Sequence, residues 1–172
     1  MQIFKMLFES NVKRIVGITH HTMYSPFVNI QDRIINVLYD VFKSNKNCVI
    51  SIKDYRQSGE TTNLLAYAGV YCQTHYDKTV FYVVDNDIMA QLLNTRVCSE
   101  NILFITSRQF DSLIRGRKDV GLVIVDSQVS NVCDIIKHSC AMKDTQFVIS
   151  TDESKISLIL KPAFKKQVFY IS

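Results

Sequence analysis

The sequence predicts an α/β domain in three layers, with a mainly parallel sheet of five to seven strands between helices. Three observations carry that expectation. Short apolar runs rich in β-branched residues recur along the chain, and a strand that is apolar throughout is one buried on both faces. Helical stretches separate most of these runs, which is the pattern of parallel strands joined by crossovers. Only 5 Gly and 2 Pro in 172 residues leave no room for a long flexible linker, so residues 1–172 read as a single domain.

The elements follow in order. Residues 30–43 place Ile30, Ile34, Val37, Leu38 and Val41 three and four apart, the spacing of an amphipathic helix. "CVISI" (48–52) is the first buried strand, and a helix follows from about Glu60 to His75. "TVFYVV" (79–84) is the next strand, followed by a helix over 86–96 capped by Asn86 or Asp87. "NILFIT" (101–106), "GLVIVD" (121–126), "QFVIS" (146–150) and "QVFYIS" (167–172) complete the strands, with a helix from about Val129 to Met142.

Composition narrows the classes of function. A hydrophobic share of 47% with 21% charged residues suits a globular domain with a full core. The formal charge of +4 is compatible with a polyanionic partner. Five cysteines in no CxxC pair suit a reducing compartment, where Cys packs as a small buried hydrophobe. The N-terminus "MQIFKMLFES" is too short and polar for a signal sequence, and no uncharged apolar run reaches membrane-spanning length, so no membrane partner is expected.

The chemistry gathers where strands end, since ligands of such sheets bind beyond the carboxyl ends of the strands. After Ile52 comes "KDYRQSGETT", in the strand–turn–helix order of a phosphate-binding loop, except that Glu60 stands where such a loop has Lys. Asp126 ends the strand "GLVIVD", the place of a magnesium-binding acid, although an acid there also commonly caps the following turn.

Together these residues resemble the ATPase domain of viral large terminase subunits, the motors that package DNA into phage heads. "RQSGETT" is similar to the family's phosphate loop at Arg56, Gln57, Gly59, Thr61 and Thr62. "PFVNIQDRI" resembles its adenine-reading motif, with Gln31 in the Gln position. "IRGRKDVGLVIVDS" is similar to the Arg-Gly segment and magnesium strand, at Arg115, Gly116 and Asp126. Ser150, Thr151 and Asp152 echo the coupling motif. The resemblance implies ATP and magnesium as ligands, Lys53 as a second position from which a Lys contacts phosphates, and Arg56 as a group acting on the transferring phosphate.

Two departures weigh against that activity. A Glu60 carboxylate about 5 Å from a phosphate oxygen, at an effective dielectric near 20, is repelled by about 3 kcal/mol per pair of unit charges. In the first turn of a helix the same carboxylate is stabilised by the helix dipole, by about 0.3–1 kcal/mol. The Glu that activates water in the family is Ser127, which has no useful basicity at neutral pH. The nuclease domain of full-length large terminases also has no counterpart.

The expectation is therefore a non-catalytic relative of the motor domain, without a cofactor, working in the cytoplasm of an infected host cell. Its partner is a viral or host protein, or a DNA backbone met by Arg115, Arg117 and Lys118 with Lys161, Lys165 and Lys166. The alternative is a residual ATPase that holds phosphates with Lys53 or Arg56 and magnesium with Asp126. Cys133, His138 and Cys140 do not share one helix face and lack a fourth ligand, so core packing is expected of them rather than a metal.

Overall fold

Six parallel strands form the centre of the computed structural model, which describes residues 1–16, 28–52, 59–97, 99–139, 141–151, 156 and 167–171. In chain order the elements are α1 (Gln2–Val16), α2 (Val28–Ser44), β1 (Cys48–Ile52), α3 (Glu60–Thr74), β2 (Thr79–Val84) and α4 (Asp87–Arg96). They continue with β3 (Ile102–Thr106), α5 (Ser107–Ile114), β4 (Val120–Val125), α6 (Val132–Ser139), β5 (Gln146–Thr151) and β6 (Gln167–Ile171). The expected three-layer, phosphate-loop-like α/β architecture is what forms.

Strand order across the sheet is β3-β2-β4-β5-β1-β6, and every pairing is parallel. Parallel strands need crossovers, and crossovers are right-handed. Chain moves toward the β3 end therefore put their helices on one face, and moves toward the β6 end use the other. The cores follow that rule. Residues of α1 to α4 share one apolar cluster with Ile50, Tyr82, Ile124 and Val148, while α5 and α6 share a second with Val49, Phe81, Val123 and Ile149. Successive strand residues alternate between the two clusters, as the pleat requires.

α3 is buried almost all round, from Asn63 through Ala68, because α1 and α2 cover the side that the sheet does not. Phe4 and Phe8 of α1 enter the core here, with the Phe4 and Tyr67 ring centroids 6.4 Å apart. The two helices approach closely at Gly69, where an added Cβ would sit 2.5 Å from Asn11 Oδ1. One polar network ties this layer to the sheet. Gln146 Oε1 accepts from the Tyr67 hydroxyl at 2.9 Å, and Gln146 Nε2 donates to the carbonyls of Val41 and Lys46, each at 3.0 Å. The buried amide is thereby satisfied, and it ties the end of α2 and the turn after it to the sheet.

α1 and α5 go beyond the sequence-based expectation. α1 carries exposed Ile3 and Met6 opposite its buried Phe4 and Phe8, so its apolar stripe is blurred. α5 buries only Phe110 and Ile114. No helix among the described residues is long and apolar enough to cross a membrane.

Candidate functional site

Because all six strands run the same way, their carboxyl ends share one edge of the sheet. β1 continues into α3 on the first face, whereas the chain leaving its neighbour β5 heads past β1 to β6, with Ile156 in the second-face core. Adjacent strands whose connections diverge open a crevice, and ligands of such sheets bind there.

The β1–α3 turn closes on Gly59, at φ 71° and ψ 18°, a left-handed conformation open to glycine at little cost. Gly59 has no side chain to cap α3, and its carbonyl accepts from Asn63 N at 2.9 Å. Glu60 begins the helix, where a carboxylate is favoured by the dipole. Its Oε1 also accepts a hydrogen bond from the Ser150 hydroxyl at the end of β5, across the crevice. Thr62 is half-buried beside it.

Asp126, 6% exposed, lies just beyond β4 and uses its two oxygens differently. Oδ1 accepts from Gln128 N at 3.2 Å and caps the next turn. Oδ2 accepts from the Thr61 hydroxyl at 3.3 Å and the Tyr82 hydroxyl at 3.1 Å. Three donors offset the cost of desolvating this carboxylate, since a hydrogen bond to a charged group contributes about 1.5–3 kcal/mol. Burial first, and then the Asp126 charge, push the Tyr82 phenol well above its ordinary value, so it stays protonated and donates. Ser127 is half-buried in the turn that Asp126 caps.

Two buried side-chain atoms at this edge, Asn63 Nδ2 and Thr151 Oγ1, have no hydrogen-bond partner among the described residues.

The structure thus brings Gly59, Glu60, Thr61, Thr62, Asp126, Ser127 and Ser150 to one edge. Lys53, Arg56, Gln57 and Asp152 lie outside the described residues, and Gln31 is on α2 with its side chain outside them. Tyr82 was not among the residues singled out from sequence. The available signal was a phenol inside a doubly buried strand, because a buried Tyr hydroxyl needs a partner.

Arg115, Arg117 and Lys118 sit before β4, at the opposite edge of the sheet. Arg115 pairs with Asp111 one helical turn back. Arg117 Nε donates to Asp119 Oδ1 at 3.0 Å and Nη2 to Thr79 Oγ1 at 3.3 Å, and its guanidinium lies 5.3 Å from the Phe81 ring centroid. The Arg117 hydrogen bond, joined by one from Thr79 at 2.7 Å, holds the Asp119 carboxyl well below the usual range. Lys118 is exposed. Lys161, Lys165 and Lys166 lie outside the described residues.

One expectation is corrected on α6. Cys133 is exposed rather than packed in the core, because the buried stripe of that helix runs through Val132, Ile135, Ile136 and Ser139. His138 Nε2 lies 3.1 Å from Asp111 Oδ1, and Cys140 is outside the described residues. No group of three or more His, Cys, Asp or Glu able to hold a metal occurs among the described residues.

No protein-family model matches the chain, and no curated protein matches it.

Proposed function

We propose that this chain is a non-catalytic relative of the terminase motor domain, acting through contact with a protein or a nucleic acid in the cytoplasm of an infected host cell. The observation that supports the reading is the Glu60 carboxylate, seated at the start of α3 and bonded to Ser150 across the crevice. An anionic side chain occupies the helix start where this kind of fold receives an anionic phosphate. Nucleotide would have to displace that contact and then sit against like charge. Ser127, in the place of the water-activating acid, supplies no base. Among the described residues, the Glu60 carboxylate disfavours a triphosphate at the start of α3.

A second reading, a residual ATP site, is favoured by the Thr61–Asp126 contact. These two groups are the pair that would hold magnesium, with Lys53 or Arg56 left to meet the phosphates.

Thermal unfolding with and without millimolar Mg-ATP separates the two. A ligand at 100 times its dissociation constant adds about 2.7 kcal/mol to stability, which is a shift of several degrees in Tm. The first reading expects no shift for the native chain and a shift for Glu60→Lys. A shift in the native chain supports the second reading and overturns the first. DNA binding that weakens steeply with salt identifies a nucleic-acid backbone as the partner, and its absence leaves a protein.

A further inference from the structure

Charge is unevenly divided along the chain. Residues 1–47 hold six Lys and Arg against three Asp and Glu, so most of the net +4 lies in the α1–α2 layer. An apolar groove of about 240 Å³ opens between those helices, lined by Ile3, Phe4, Leu7, Tyr39 and Phe42, with Lys43 at its side. Ile3 is 71% exposed on its rim and Met6 is 60% exposed beside it. Lys43 has no ion pair among the described residues, and Lys5 reaches Glu9 only at 4.0 Å.

A complementary ridge lies on α4. Ile88 is 80% exposed and Leu92 40%. Four residues apart, they stand on one side of the helix. Asp85 and Asp87 lie beside Ile88, exposed and without an ion pair among the described residues, and the first Lys or Arg after Lys78 is Arg96, at the far end of the helix. Single exposed apolar residues are ordinary on a protein surface. Here an apolar ridge with acids at one end and an apolar groove with lysines beside it occur on one chain, and each carries the charge the other lacks.

We propose that the chain self-associates by seating the α4 ridge of one copy in the α1–α2 groove of another. Ile88 and Leu92 enter the groove as an amphipathic helix enters an apolar cleft, and Asp85 and Asp87 meet Lys5 and Lys43. The two surfaces differ, so the contact is heterologous, and each copy offers one groove and one ridge.

Sedimentation velocity across a concentration series tests the pairing with native chain, Ile88→Glu and Ile3→Glu. The native chain should associate at about 100 μM, and at least about tenfold more weakly in about 1 M salt than in about 0.05 M. Each variant alone should be monomeric, with its Tm unchanged. An equimolar mixture should recover association as one-to-one pairs, because one variant keeps the groove and the other the ridge. As a second arm, Asp87→Lys and Lys43→Asp should each weaken association, and the doubly swapped chain should regain it. A native chain that stays monomeric at low salt overturns the proposal. So does association that survives either glutamate variant, or a mixture that stays monomeric.

Discussion

The two edges of the sheet treat charge in opposite ways. At the carboxyl edge, Asp126 is buried and held by two hydroxyls and a backbone amide, and Glu60 accepts from Ser150. At the amino edge, charge is local and open to water, with Arg115 against Asp111 and Arg117 against Asp119. The first arrangement is costly to assemble and depends on residues far apart in sequence. The second joins mostly close sequence neighbours, with Thr79 added from β2 and His138 from α6, and contributes little. Both orphaned buried polar atoms among the described residues also lie at the carboxyl edge, Asn63 Nδ2 and Thr151 Oγ1. Under the function proposed above, the carboxyl edge is an anion site with the anion supplied by the chain itself.

The largest effect should come from Asp126→Ala, which leaves three donors, the buried Tyr82 hydroxyl among them, without their acceptor. About 3 kcal/mol of stability should be lost in urea denaturation. A loss below about 1 kcal/mol would erase the contrast between the two edges. Tyr82→Phe should cost about 1–2 kcal/mol. Its pH dependence has a definite sign. The folded-state value is raised, so the contribution is intact below the ordinary Tyr value of about 10. It is lost as pH rises above that, where the unfolded chain gives up the proton and the folded chain resists. The gap between native and variant stability should therefore narrow in alkali.

Glu60→Gln should cost about 1 kcal/mol through the loss of charge at the helix start and at the Ser150 bond. A double-mutant cycle with Ser150→Ala isolates that bond, and zero coupling would remove the contact from the account. Asp119→Asn should be the mildest, under about 1 kcal/mol at neutral pH, because the side chain is 43% exposed and water screens the pair. Its folded-state value is depressed, so the contribution is present above about pH 4 and lost as pH falls. Native and variant chains should converge toward about pH 2, and a gap that persists there would place the effect outside the Arg117 pair.

Much of this was legible in the sequence, and the rest was hidden for physical reasons. The strands could be read because a doubly buried strand is an unbroken apolar run, and the start of α3 because Gly59 and Glu60 mark it. α1 was obscured by apolar residues on its exposed side. α5 carries the Thr106-x-x-Gln109 spacing of a capping box, and Gln109 Oε1 accepts from Thr106 N at 3.0 Å. Glu60 and Asp126 were visible one at a time. That Glu60 meets Ser150, 90 residues away, depends on β1 lying beside β5, and strand order is not written in any local pattern. Tyr82 reads as core until Asp126 is placed beneath it. The arginines of the amino edge were plain to see, but the carboxylates that engage them were not.

Titration calorimetry of Mg-ATP into the native chain tests the central claim most directly. The account predicts only the heat of dilution up to millimolar nucleotide. A saturable isotherm with a Kd at or below about 1 mM would contradict it.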